Sequence, residues 1–400
     1  MSSEHGLPSL LWVLFAGALA PWLSDRLAFL RLPVIALELL FGVLIGPQGL
    51  GLAEMEGPLP FLARFGVALL FFLAGMEIDF AGLRGRPFVL GALGWVLSLG
   101  LAAGAAFGLA SAGLVQQPTV IAVALATTAL GVVAPILRDA GLTDQPLGRL
   151  ATACGVMGEV GPILLMSALF IGAEQELRQV GLTLLFAAIA VGVCWVSFWL
   201  RPPGVVGLLA RSMHRSGQWP VRVCMLVLAL LVWVAESFRL DPALGAFAAG
   251  LAVGLANRDA RSDVLAHKLD AVGFGLLVPV FFVTSGMQLD VRALAARPDM
   301  LGIVLLAALA LLVVRGAPAV LFVRDLGVRG ATVAGLYAAT SLPLIVALTS
   351  AAVDTDRMDR LNATVLVSGG LVSVLVFPWL AARLQGRPIP PRRAPEPDAL

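Results

Sequence analysis

The chain has 400 residues, of which 59% are hydrophobic and only 13% are charged. Its mean hydropathy of +0.95 excludes a soluble protein, because a soluble chain could not keep so many apolar side chains off its surface. The composition therefore predicts an all-α polytopic membrane protein. The net charge of +2 gives no reason to expect nucleic acid as a partner.

About thirteen apolar segments, each near the roughly 20 residues that cross a bilayer, recur between short charged loops. Their approximate bounds are 7–24, 32–51, 60–78, 87–112, 118–137, 149–172, 179–200, 220–238, 242–257, 272–289, 300–323, 330–352 and 361–383. Glu4 and His5 precede the first segment where a cleaved signal would carry basic residues, so we expect a retained helix. We predict a membrane domain over 1–384 and a short disordered cytoplasmic tail over the Pro-rich stretch 385–400.

The basic residues predict the orientation of these spans. With the N-terminus outside, nineteen Lys and Arg residues fall on the cytoplasmic side and seven on the other, with Arg315 left inside a span. Because basic loops stay in the cytoplasm, we expect a protein of the inner cell membrane with an external N-terminus and a cytoplasmic C-terminus.

The two halves of the chain resemble each other. Four pairs match in order at offsets of about 208 to 213: RLPVIALELLFGVLIG with LDPALGAFAAGLAVG, LLFFLAGMEIDFAGL with PVFFVTSGMQLDVRAL, Thr127-Thr128 with Thr340-Ser341, and LATACGVMGEVG with LNATVLVSGGLV. Equivalent spans lie seven apart, an odd number, so the halves must cross the membrane in opposite directions. We predict two inverted six-helix repeats, 7–172 and 220–383, joined by a linker helix at 179–200.

The fifth and twelfth spans form a matched pair of interrupted helices. Pro135 and Pro343 each remove a backbone donor and disfavour continuous helix. The hydroxyl residues of ATTALGVVAPIL and ATSLPLIVALTS can bond freed backbone groups or offer oxygen to a cation. Such a pair points to a substrate site at the repeat interface.

Glu159 lies ten residues after Arg149 and fifteen before Glu174 in an otherwise apolar run. At about 1.5 Å per helical residue this places the carboxylate roughly 15 Å from water, in the middle of the bilayer. A charge there costs at least about 3 kcal/mol and faces the protein interior or a wet cavity. Glu159 is therefore the main candidate for function.

Arg315 is similarly deep, so we expect it to pair with a carboxylate, for which Glu159 is the comparable candidate, or to line an aqueous cavity. Other acids lie nearer the ends of spans, where helix capping or solvation at the interface is expected. These are Glu38, Glu77, Asp79, Glu236 and Asp290.

The markers LLFGVLIGPQGLGL, VALLFFLAGMEID, ALATTALGVVAPIL, LGAFAAGLAVG and LVPVFFVTSGMQLD resemble the monovalent cation:proton antiporter family 2. That family includes bacterial sodium/proton exchangers and the membrane part of glutathione-gated potassium efflux systems. The resemblance covers about residues 8–384. It implies a homodimer in which each chain has a dimerisation domain and a mobile core domain, with two discontinuous helices crossing beside an ion-binding carboxylate.

In that family the sixth span carries an Asp-Asp, Asn-Asp or Gln-Asp pair whose second member binds the cation and the proton, and a basic residue on the eleventh span supports the site. The resemblance puts Gly158 and Glu159 at the pair, Arg315 at the basic position, Thr127 and Thr128 at the first break, and Thr340 and Ser341 at the second. Gly158 supplies no second acid, and Glu replaces Asp. With one deep carboxylate, the simplest mechanism is electroneutral exchange of one monovalent cation for one proton by alternating access, without a cofactor or a resident metal.

Three alternatives remain at this point. An intramembrane enzyme would need a nucleophile and base or a metal cluster, yet the histidines His5, His214 and His267 all fall outside the apolar segments. A channel-like potassium efflux system would use the same fold with gating by a separate chain. An ion-coupled organic anion symporter could also be built on similar inverted repeats.

Overall fold

The structure is a computed structural model. It describes residues 6–26, 33–77, 85–169, 218–256 and 262–385, apart from positions 114, 116, 144, 239 and 241, together with scattered positions within 182–193. The described residues form helices and no strands. The predicted tail and most of the predicted linker helix 179–200 lie outside the described residues.

The helices follow the apolar segments. In chain order they are α1 Gly6–Arg26, α2 Val34–Ile45, α3 Leu59–Met76, α4 Arg86–Ser111, α5 Pro118–Leu125, α6 Leu130–Asp139, α7 Pro146–Leu169, α8 Trp219–Ser237, α9 Pro242–Ala256, α10 Ser262–Val272, α11 Val278–Met287, α12 Val291–Ala295, α13 Pro298–Gly316, α14 Val323–Ala339, α15 Pro343–Asp354 and α16 Arg360–Gln385. A π-helical turn at Gly273–Leu277 joins α10 to α11, and a 3₁₀ turn at Ala317–Phe322 joins α13 to α14.

Both predicted helix breaks are confirmed. The fifth span divides into α5 and α6, and the twelfth contains the second part of α14 and most of α15. Pro343 begins α15, as expected for a residue whose missing N–H is no loss at the first helical position. Pro135 instead lies inside α6, so the first break precedes this proline rather than being made by it.

The chain divides into two compact units, and each takes helices from both halves of the sequence. The first unit holds α1, most of α2, α3, the end of α7 and α8 to α11. The second holds α4 to α6, most of α7 and α12 to α16.

Within the first unit, α2 packs on α11 through glycines. A Cβ atom at Gly42 would fall on the carbonyl oxygen of Val283, and one at Gly286 would fall on the carbonyl oxygen of Leu39. Small residues at such positions let two membrane helices approach backbone to backbone. These contacts therefore fix both the spacing and the rotation of the two helices.

The same contact recurs between α3 and α9. A Cβ at Gly250 would fall on the carbonyl oxygen of Phe72, and one at Gly75 on that of Phe247. The residues of the two contacts correspond in the repeat. Leu39 and Gly42 of α2 match Phe247 and Gly250 of α9, which are 208 residues further on. Phe72 and Gly75 of α3 match Val283 and Gly286 of α11, which are 211 residues further on. The internal repeat predicted from sequence is thus confirmed in the packing.

The register of these contacts supports the inversion. From Gly42 to Gly46 the contact on α11 moves from Val283 to Met287, so α2 and α11 run in the same direction. The α3 and α9 contacts likewise rise together, so these two helices also run parallel. Since α3 returns across the membrane after α2, α9 runs opposite to its counterpart α2.

Replacing Gly42 with Ala should lower the melting temperature of the detergent-solubilised protein by roughly 3–10 °C, because a backbone carbonyl cannot move aside to relieve the overlap. The measurement is thermal unfolding followed by size-exclusion chromatography. Gly104→Ala on α4 is the matched control, because a Cβ there meets open space. Equal melting temperatures for the two variants would contradict the packing.

Candidate functional site

The two helix breaks are bonded to each other inside the second unit. The Ala129 amide donates to the Thr340 carbonyl oxygen at 2.8 Å. The hydroxyl oxygens of Thr127 and Ser341 lie 2.5 Å apart in a hydrogen bond. All four hydroxyl residues predicted for the breaks are at most 1% exposed. The structure therefore brings the two predicted segments together as one buried polar cluster.

Helix α7 is tied to the first break by a main-chain hydrogen bond. The Thr128 amide donates to the Gly158 carbonyl oxygen at 2.9 Å. Pro162, four residues after Gly158 and inside α7, has no N–H, so it cannot supply the helical bond that this carbonyl would otherwise accept. The next residue, Glu159, is half-buried. Glu159 lies beside the break because the Thr128 amide and the Gly158 carbonyl, which both lack a partner within a helix, bond to each other.

Arg315 on α13 is 3% exposed, which confirms that it lies inside the protein. Its Nε and Nη2 donate to the Thr128 hydroxyl at 2.9 and 2.6 Å, and Nη1 donates to the Ser98 hydroxyl at 3.1 Å. Nη2 also donates to the Cys154 carbonyl at 3.0 Å. These acceptors are neutral oxygens from α4, the first break and α7, so the guanidinium joins three segments of the unit.

The Thr128 hydroxyl uses all of its hydrogen-bonding capacity. It donates its proton to the Ala338 carbonyl at 2.5 Å and accepts two N–H groups of Arg315. A hydroxyl has one donor and two acceptor positions. The Thr128 hydroxyl therefore positions Arg315 in this arrangement.

The other hydroxyls keep acceptor capacity. Thr127 donates to the Ala124 carbonyl at 2.6 Å, so Ser341 is the donor in the contact between Thr127 and Ser341. Thr340 donates to Leu336 at 3.0 Å. In addition, the main-chain oxygens of Thr127 and Thr128 accept no hydrogen bond from the described residues. The first break thus offers oxygen atoms that a cation can use.

Gly158 is required by the guanidinium. A Cβ at this position would lie 2.5 Å from both Nη2 of Arg315 and Oγ1 of Thr128. Real Cβ atoms essentially never come this close to another heavy atom. Arg315 and Thr128 therefore occupy the space into which the first side chain of a polar pair would project.

The counterpart of Glu159 in the second repeat is Gly370. A Cβ there would lie 2.9 Å from the Ser341 carbonyl oxygen. The Ser341 amide donates to the Ser373 hydroxyl at 3.0 Å, and that hydroxyl lies 2.7 Å from the Gly370 carbonyl. The second break packs so closely on α16 that this position favours glycine over an acid.

Sequence reasoning did not identify four residues that shape the site. Ser98 accepts from Arg315, Ser373 braces the second break, and Pro162 frees the Gly158 carbonyl. Trp95 donates its indole N–H to the Ala126 carbonyl at 3.2 Å. Only Pro162 has a local sequence signal, because its distance of four residues from Gly158 predicts a carbonyl without a helical donor.

The acids near helix ends have different environments. Glu77 and Glu236 are exposed, and Asp290 caps α12 by accepting from the Ala293 amide at 3.1 Å, as expected. Asp79 lies outside the described residues. The expectation for Glu38 was wrong, because this side chain is only 4% exposed.

Comparison with known proteins identifies the family. The model of the transmembrane sodium/hydrogen exchanger family matches residues 13–383. The chain therefore belongs to that family, whose members are transporters, and it is a multi-pass membrane protein.

Individual relatives are distant. The putative Na⁺/H⁺ antiporter YjbQ of Bacillus subtilis is 26% identical over 94% of this chain, which spans 62% of that protein's length. The probable Na⁺/H⁺ antiporter 3 of Methanocaldococcus jannaschii is 27% identical over 72% of this chain and 74% of its own length. The structure of the sodium proton antiporter MjNhaP1 from the same archaeon, at pH 8, matches 97% of this chain and 100% of its own with a TM-score of 0.68 and 16% identity. The last comparison shows that the fold is shared.

Gly158→Ala should reduce exchange by roughly tenfold to a hundredfold, because its Cβ displaces the guanidinium of Arg315 and the break that Arg315 holds. The measurement is the rate of cation-driven proton movement in proteoliposomes at equal protein content. Gly131→Ala on α6 is the control, since a Cβ there meets no atom within 4 Å. Full activity of Gly158→Ala would show that the packing around Arg315 does not matter for transport.

Proposed function

We propose that the protein exchanges a monovalent cation, Na⁺ or K⁺, for protons across the cell membrane by alternating access. Glu159 is the group that binds either the proton or the cation, so that carriage of the two is mutually exclusive. The observation that carries this proposal is the bond between Thr128 and Gly158, which holds the acid-bearing segment of α7 against the two helix breaks. Membership of the exchanger family, and the antiporter names of the relatives, support it.

The cation ligands are the Glu159 carboxylate and oxygens of the breaks. Unwound main-chain carbonyls coordinate cations in transporters with discontinuous helices. The main-chain oxygens of Thr127 and Thr128 and the hydroxyls of Thr127 and Ser341 supply such atoms. The hydroxyl of Thr128 instead accepts hydrogen bonds from Arg315. The Thr127 hydroxyl therefore binds the cation, and the Thr128 hydroxyl supports the site. Gly158 and the Thr340 carbonyl belong to the supporting part.

The charges of this arrangement favour electroneutral exchange. Arg315 contributes a fixed positive charge that stays bonded within the unit. Glu159 is neutralised once, either by a proton or by a monovalent cation. The loaded site therefore carries the same net charge with either ion, and one cation replaces one proton.

The guanidinium also argues against an organic anion as the substrate. An anion symporter would need donors aimed at a substrate carboxylate. The donors of Arg315 are already shared among the hydroxyls of Thr128 and Ser98 and the carbonyl of Cys154. A channel-like potassium efflux system shares the fold, and it is distinguished by uphill proton movement, which a channel cannot produce.

The remaining assignments follow from the basic residues and the family resemblance. We expect the external N-terminus and cytoplasmic C-terminus that the distribution of Arg favours. We also expect the working form to be a homodimer.

Glu159→Gln should abolish exchange, because the amide keeps the size of the side chain but binds neither a proton nor a cation as a carboxylate does. The measurement is recovery of a quenched pH-gradient dye in everted vesicles, with Na⁺, K⁺ and Li⁺ added in turn. Glu236→Gln on α8 is the control, since that acid is exposed. Full activity of Glu159→Gln would remove Glu159 from the exchange step.

Exchange in proteoliposomes should generate no membrane potential, because the loaded site carries the same charge with either ion. The measurement places a voltage-sensitive dye beside an internal pH dye while a cation gradient drives proton movement. A voltage signal that tracks the pH signal would contradict one-for-one exchange, while the assignment of Glu159 would stand.

A further inference from the structure

Glu38 and Arg315 are the two charged side chains that are buried among the described residues. Arg315 is bonded to the helix breaks of the second unit, whereas Glu38 lies on α2 and belongs to the first unit. Its side chain is 4% exposed, and Ala36, Leu37 and Leu39 around it are buried as well. A full helical turn that carries a carboxyl group is therefore enclosed by protein.

No residue that the structure describes forms a hydrogen bond or an ion pair with Glu38. Helix α11, which packs on α2 through its glycines, carries no ionisable side chain. Helices α1 and α3 and the segment between α2 and α3 share an apolar cluster with Ile45 of α2. The ionisable residues on these elements are Asp25, Arg26, Glu54, Glu56 and Arg64.

The rotation of α2 holds Glu38 in this enclosed position. Gly42 contacts the Val283 carbonyl, and the Leu39 carbonyl contacts Gly286. Turning α2 to expose Glu38 would break both backbone contacts. Rotation of α2 therefore does not expose the carboxyl group while these backbone contacts are kept.

An ionised carboxylate is strongly disfavoured in such surroundings, and binding a proton removes its charge. We propose that Glu38 binds a proton in this conformation and forms a second proton-binding site, separate from the exchange carboxylate. Loss of the proton leaves an uncompensated charge in an apolar setting, so deprotonation favours a shift of α2. Glu38 lies four residues, about 6 Å, from the first residue of α2, Val34.

The direct test is infrared spectroscopy of the full-length protein in a Glu159→Gln background, where the exchange carboxylate contributes no signal. The carbonyl stretch of a protonated carboxyl group should be present at neutral pH and should disappear in Glu38→Gln. Glu236→Gln is the matched control and should retain the band. A band unchanged by Glu38→Gln would overturn the proposal.

A second variant covers the case in which Glu38→Gln does not fold. Glu38→Asp keeps the acid, so the band should remain, with a changed frequency and a changed pH at which it is lost. A spectrum of Glu38→Asp identical to that of the parent would show that the band does not come from Glu38.

The link to transport is tested with Glu159 intact. The rate of exchange as a function of pH should contain one titration more than the profile of Glu38→Gln, whose amide imitates the protonated acid. Identical profiles would overturn the link between Glu38 and transport. This result is distinct from failure of the exchange proposal, in which the parent protein itself would move no protons.

Discussion

The hydrogen bond between the Thr128 amide and the Gly158 carbonyl is the contact on which the site depends. Each group lacks a helical partner for a local reason, because the chain unwinds at Thr128 and Pro162 cannot donate to Gly158. Inside a membrane each such group would cost several kcal/mol if left unsatisfied. Pairing them removes both costs at once and fixes Glu159 beside the break. The segment of α7 that carries the acid is thus held at the break by a backbone hydrogen bond.

The two repeats share their backbone packing but differ in their charged residues. The glycine contacts of α2 with α11 recur between α3 and α9, so the duplicated helices pack in the same way. At the breaks the halves differ. Around Gly158 the space is filled by Arg315 and Thr128, and around Gly370 by the Ser341 carbonyl. The first repeat therefore carries the acid, Glu159, where the second has Gly370, and the second repeat supplies the guanidinium of Arg315. The duplicated breaks share one acidic position between them.

The sequence predicts those features whose signals are local or duplicated. Apolar runs predict the helices, and the paired hydroxyl residues predict breaks that the structure confirms. Pro135 misleads as a marker of the first break, because a proline inside an apolar helix leaves α6 intact. The partners of Arg315 and the burial of Glu38 depend on which helices meet in space. Nothing within α2 itself distinguishes a buried acid from one at the interface, so hydropathy alone assigns Glu38 to the wrong environment.

The contacts inside the first unit rearrange less easily than those inside the second. In the first unit, glycines face main-chain carbonyls, and such contacts allow one spacing and one rotation. In the second, the Ser341 hydroxyl donates to the Thr127 hydroxyl, which itself donates to the Ala124 carbonyl. A hydroxyl can turn its proton away and present a lone pair without any movement of its helix. The breaks can therefore alternate between bonding each other and coordinating an ion at little cost in packing. Glu38 is also buried in the first unit, on the helix whose rotation these glycine contacts fix.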